Sequence, residues 1–213
     1  MHHLRIRGLY AITPSDIDSK RLAGKVRAAL EGGARTVQFR AKDTPPALKI
    51  EQGKTLRALC REFGALFIVN DSPELALRLD ADGVHLGRDD GDVAIARRTL
   101  ADRLIGVSCY NDPARAAPAI AQGADYVAFG SFFPSSTKPG AAAAQTGLLE
   151  SARRAGFNTV GIGGITPENA ATLVAAGADA VAVIGALFGP DDLSAIRATA
   201  HAFTQLFETA SPC

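Results

Sequence analysis

The stretch LFIVNDSPELALRLDADGVHLGRDD, residues 66–90, holds two short apolar runs that each end on acid. Leu66 to Val69 is followed by Asn70 and Asp71, and Gly83 to Leu86 by Gly87, Arg88, Asp89 and Asp90, with one helix-sized segment between. The pattern reads as strand, helix, strand. Two parallel strands joined by such a crossover lie side by side, about 5 Å apart, so Asp71 and Asp90 come within reach of one shared ion. Carboxylates that close repel each other unless a cation sits between them. Oxygen ligands at a sheet rim suit Mg²⁺, which takes one or two carboxylates together with substrate phosphates. The spacing is equally compatible with Asp71 capping the helix that begins at Pro73 and with Asp89 and Asp90 as solvated turn residues.

Outward from this unit the alternation repeats along the whole chain. Apolar runs at 8–13, 36–40, 66–69, 84–86, 104–107, 126–129, 159–162 and 180–184 read as strands. Helical patterns follow at 19–30, 45–64, 73–79, 92–100, 113–121, 147–155, 167–175 and 191–207. Eight strand-helix units of this length close into a (β/α)₈ TIM barrel of the α/β class, whereas doubly wound sheets use fewer strands. One barrel domain over residues 1–213 is expected, with a short flexible N-terminus at 1–6 and a C-terminal tail at 208–213. The triplet Gly-Ala-Asp recurs at 123–125 and 177–179, with Asp80 to Asp82 as a variant, and marks helix-to-strand turns. Such turns lie at the N-terminal rim of a barrel, where stability features belong, so these acids are turn residues rather than catalytic candidates.

Composition narrows the function. A chain of 213 residues buries a substantial core without staples, and a net charge of +1 with mixed signs gives no electrostatic case for nucleic acid or an anionic membrane. Phosphates, if bound, must be bound locally. Cys60, Cys109 and Cys213 are far apart and form no metal-type pair, which fits a reducing cytoplasm. No window approaches the roughly 20 apolar residues of a membrane span or the pattern of a signal peptide. A soluble cytoplasmic protein acting on small phosphorylated molecules is expected; a homo-oligomer is left open.

In a barrel the chemistry sits at the C-terminal strand ends. After the second strand comes QFRAK, residues 38–42, whose alternation puts Gln38, Arg40 and Lys42 on one side, and two cations on one face can grip a diphosphate. After the sixth comes SSTK, residues 135–138, a hydroxyl cluster ending in a cation that could neutralise a leaving phosphate. Each of these also reads as an ordinary polar loop. GIGGI at 161–165 and Ile184 with Gly185 follow the last two strands, where glycine lets phosphate approach backbone N–H groups, the usual phosphate site of this fold. Ser108 in the fifth loop can hydrogen-bond a substrate. His85 lies inside a strand and is assigned no role, and no Ser-His-Asp, Cys-His or zinc constellation is legible.

Taken in order, GLYAITP, VQFRAK, IVND, DGVHLGRDD, GVS, GADYVAFGSFFPSSTKP, GIGGITPEN and GADAVAVIGA resemble the thiamine-phosphate synthase (thiamine-phosphate pyrophosphorylase) family, from Gly8 to about Gly189. The resemblance implies a (β/α)₈ transferase. It would join 4-amino-2-methyl-5-(diphosphooxymethyl)pyrimidine to a thiazole phosphate, giving thiamine phosphate and pyrophosphate. By motif it implies that Gln38, Phe39, Arg40, Ala41, Lys42, Asn70, Ser108 and Lys138 hold the pyrimidine diphosphate. Ser135, Ser136, Thr137, Gly164, Ile184 and Gly185 would hold the thiazole phosphate, and Asp71 and Asp90 a Mg²⁺ ion. Arg40, Lys42 and Lys138 would neutralise the leaving pyrophosphate, and the family's carbocation route needs no enzyme nucleophile. Three positions depart from the family pattern: Tyr110 stands where many members have histidine, Ser135 where threonine is usual, and Gly185 where serine is usual. The alternatives are a thiazole tautomerase-like isomerase, another phosphate-binding barrel enzyme, and a non-catalytic paralogue.

Overall fold

A computed structural model describes residues 5–134 and 144–209. Its strands are β1 (Gly8–Ile12), β2 (Thr36–Phe39), β3 (Leu66–Asn70), β4 (Gly83–Leu86), β5 (Leu104–Tyr110), β6 (Tyr126–Phe129), β7 (Thr159–Ile162) and β8 (Ala180–Val183). They pair in chain order, all parallel, and β8 returns to β1 with Gly8 opposite Ala180, which closes the barrel. The intervening helices are α1 (Ser19–Glu31), α2 (Pro46–Glu62), α3 (Pro73–Arg78), α4 (Val93–Leu100), α5 (Ala116–Ala121), α6 (Gly147–Arg154) and α7 (Pro167–Ala175). After β8 come a short α8 (Gly185–Phe188), which the sequence pattern did not lead us to expect, and α9 (Leu193–Thr209). Among the described residues no helix is long and apolar enough to cross a membrane.

The period-two pleat sorts each strand between two cores. Leu9, Val37, Phe39, Phe67, Val69, Val84 and Val127 face the helices, while Tyr10, Ile68, Tyr126, Val160 and Ala182 point into the barrel. Helix starts are set by local side chains. Ser72 caps α3 by accepting from the Leu75 N–H at 3.1 Å, and Asp92 caps α4 by accepting from Ile95 at 2.9 Å. The capping roles are thus taken by neighbours, which leaves Asp71 and Asp90 to the rim.

The opposite rim is tied by the repeated acids. Asp82, just before β4, accepts the Phe67 N–H of β3 at 2.7 Å; Asp125, before β6, accepts Ile105 of β5 at 2.7 Å; Asp179, before β8, accepts Thr159 of β7 at 2.8 Å. Each carboxylate therefore pins the first turn of its own strand to the neighbour that precedes it. Ile6 belongs to this rim as well, against the expectation of a flexible segment at 1–6. It is buried, and its N–H and C=O pair with the Asn158 amide at 3.1 and 3.0 Å.

Candidate active site

The C-terminal strand ends enclose two adjoining cavities, of about 250 and 400 Å³. Gln38, Arg40, Lys42, Asn70, Asp71 and Asp90 line the smaller; Ser131, Gly163, Gly164, Thr166 and Gly185 line the larger. Ser108, Tyr110 and Ile184 belong to both, so a molecule in one would meet a molecule in the other across them.

In the smaller cavity the strand-end acids come together as the crossover geometry requires. Burial, a side-chain hydrogen bond to Asp90 and the charge of Asp90 push the Asp71 carboxyl up from its ordinary 3.8 to about 6, against the pull of Lys42 and Asn70. Lys42 Nζ lies 3.7 Å from Asp71 Oδ2. Asp90 Oδ2 accepts the Gly87 N–H at 2.7 Å, which fixes the second carboxylate on the loop after β4. Asp71 itself holds φ at +68°, a left-handed value that costs a non-glycine residue free energy and that gathers at functional sites. Two carboxylates on one cavity form a donor set suited to a hard dication whose remaining ligands come from substrate or water. Among the described residues no group of three or more His, Cys, Asp or Glu side chains is arranged for a metal.

The cation side is built by β2. The Arg40 N–H donates to Thr13 Oγ1 at 2.9 Å, which anchors the end of β2 against the chain leaving β1. Gln38, Arg40 and Lys42 fall on one side, as the alternation indicated. Phe39, by contrast, is buried toward the helices and stacks on Phe67 with ring centroids 6.2 Å apart, and Ala41 packs against the same outer core; neither lines the cavity. Ser135, Ser136, Thr137 and Lys138 lie outside the described residues.

In the larger cavity, glycine is dictated by close approach. Gly164 has φ +62°, and a Cβ there would stand 2.3 Å from the Pro134 carbonyl oxygen. Only a residue without a side chain lets the loop after β7 fold under the loop after β6. Tyr110, at φ +55°, ends β5 and spans the border: its hydroxyl accepts the Arg88 N–H at 3.2 Å, and its ring lies under Arg88 and Arg115, 4.9 and 5.7 Å from their guanidinium carbons.

Beneath both cavities runs a feature that sequence reading missed. Gln38 Nε2 donates to the Tyr10 hydroxyl at 2.8 Å, Tyr10 and Tyr126 hydroxyls pair at 3.0 Å, Tyr126 meets His85 Nδ1 at 3.2 Å, and His85 Nε2 meets Ser108 Oγ at 2.9 Å. Tyr126 reaches this position because Gly106 stands beside it; a Cβ on Gly106 would lie 2.0 Å from the tyrosine Cζ.

Residues 9–187 match the family model of thiamine monophosphate synthase. The chain belongs to that family. It is 56% identical to a thiamine-phosphate synthase of Chromobacterium violaceum over 90% of this chain and 93% of that one. To the thiamine-phosphate synthase of Methylobacillus flagellatus it is 53% identical, over 95% and 96%. Its structure superposes on a thiamine phosphate pyrophosphorylase from Pyrococcus furiosus with a TM-score of 0.84 at 37% identity, covering 95% and 96% of the two chains. A 3-hexulose-6-phosphate synthase at 18% identity and TM-score 0.68 shares the fold alone. As a thiamine monophosphate synthase family member the chain is an enzyme of the transferase class.

Proposed function

We propose that the chain condenses 4-amino-2-methyl-5-(diphosphooxymethyl)pyrimidine with thiazole phosphate to give thiamine phosphate and pyrophosphate, with Mg²⁺ at Asp71 and Asp90. The observation that carries the reading is a single cavity lined by Asp71, Asp90, Arg40 and Lys42, the lysine 3.7 Å from Asp71, that shares Ser108, Tyr110 and Ile184 with a second, glycine-lined one. Two polar phosphorylated substrates need two adjoining sites, and the smaller, charged one suits the diphosphate.

Gln38, Asn70 and Ser108 orient the pyrimidine, and Arg40, Lys42 and Lys138 take up the charge that grows on the leaving pyrophosphate as its C–O bond breaks. A Mg²⁺ ion bound by Asp71 and Asp90 would supply further charge neutralisation to the same oxygens. The exocyclic carbon then accepts the lone pair of the thiazole nitrogen, held in line by a phosphate anchored at Ser135, Ser136, Thr137, Gly164, Ile184 and Gly185. That nitrogen carries no proton and becomes quaternary, so the chain needs neither a base nor a nucleophile for this step.

The test is pyrophosphate release from the two substrates with Mg²⁺ and with chelator. Metal-dependent release accompanied by thiamine phosphate is expected, and Asp71→Ala is expected to lose it while keeping the folded circular dichroism spectrum. Binding of both substrates without release would instead make the chain a non-catalytic member of the family.

A further inference from the structure

We infer that Tyr10, Tyr126 and His85 are positioning residues: they form a polarised relay through the barrel that fixes which atoms of Gln38 and Ser108 face the substrate, and so select an amino-substituted over an oxo-substituted pyrimidine. The inference rests on the pyrimidine reading above. The relay has five members and only two self-consistent polarities, because each tyrosine carries one proton and a neutral imidazole has one donor and one acceptor. Gln38 donates from Nε2 to Tyr10. Tyr10 must then donate to Tyr126, Tyr126 to His85 Nδ1, and His85 Nε2–H to Ser108 Oγ. What remains for the cavity is an acceptor, Gln38 Oε1, and a donor, the Ser108 proton. An exocyclic amine satisfies the first, and a ring nitrogen or phosphate oxygen the second.

Reversed, the relay would present the Gln38 NH₂ as a donor and leave Ser108 only an acceptor, the pattern that suits a ring carbonyl. One flip therefore changes both ends together. Water has little access with which to scramble the polarity, since Tyr10, Tyr126 and Gln38 are buried to 1%, 0% and 3% exposure. His85, itself buried, engages both ring nitrogens within the relay, one toward Tyr126 and the other toward Ser108.

Two measurements on the full chain test this. Imidazole ¹⁵N–¹H correlation spectra without ligand, with the His85 signals assigned by loss in His85→Gln, are expected to show the Nε2–H tautomer at pH 7; a dominant Nδ1–H tautomer would overturn the inference. Tyr126→Phe keeps the ring and removes the link. It is expected to mix the tautomers, to weaken the aminopyrimidine diphosphate roughly tenfold and to erase its preference over the 4-oxo analogue, with thiazole phosphate binding unchanged. Tyr10→Phe, one link earlier, should do the same. If both variants fold and keep the wild-type tautomer and preference, the relay has no positioning role. If wild type shows the Nε2–H tautomer but binds no aminopyrimidine diphosphate, the substrate reading fails and only the polarity of the relay stands.

Discussion

Asp71 carries an acid whose folded pKa lies above its unfolded one, and this sets the sign of a pH effect. Below about pH 4 both states hold the proton and the site costs nothing. As pH rises through about 6 the folded protein must give up a proton that the unfolded chain has already lost, so stability falls across that window. Without a divalent ion, the stability of wild type relative to Asp71→Asn is expected to decline from about pH 4 to about 6.5 and then level off. Added Mg²⁺ at pH 7 should raise the calorimetric Tm of wild type and leave the variant unmoved. Gly185 offers the complementary gain. A Cβ there meets nothing within 4 Å, so Gly185→Ser has room to restore the hydroxyl usual in the family. One added hydrogen bond, about 0.5–1.5 kcal/mol, should tighten thiazole phosphate roughly two- to tenfold by isothermal titration.

At the level of the element, β5 shows where a site depends on a strand's irregularity. Its register slips between Ser108 and Tyr110, which brings Ser108 to His85 and Tyr110 to the border of both cavities. Gly106 on the same strand makes room for Tyr126, so Gly106→Ala is expected to cost about 1–3 kcal/mol in denaturant unfolding and to weaken the aminopyrimidine diphosphate with it. The apolar run Leu104 to Val107 was visible in sequence, but the extension to Tyr110 was not, because Ser108 to Tyr110 carries no apolar alternation. All eight strands were legible since each holds a short apolar run set off from the next by a helix-sized segment, and Asp71 and Asp90 followed from the crossover between two of them. The link between Tyr10 and Tyr126 was not, since 116 residues separate partners that only barrel closure unites. The four-residue α8 escaped for a different reason: so short a helix has too few turns to show a period.

For the whole molecule, the two ends of the barrel are held together differently. The end carrying Asp82, Asp125 and Asp179 adds a side-chain tie to the backbone ladder at three places, and Arg97 reinforces one of them by pairing with Asp125 at 2.5 Å. Asp125→Ala should cost about 1–2 kcal/mol and speed hydrogen exchange at the Ile105 amide, while kcat stays near wild type because the far rim is untouched. Three carboxylates thus hoop the staves at this end, whereas the mouth is tied by hydroxyls, Thr13 to the Arg40 N–H and Tyr110 to the Arg88 N–H. A cask of that kind keeps its shape when the lip is cut and re-cut, because the stagger of the staves is held along their whole length. New loops can be tried at the mouth without renegotiating the order of the wood, and a single scaffold can host one chemistry after another.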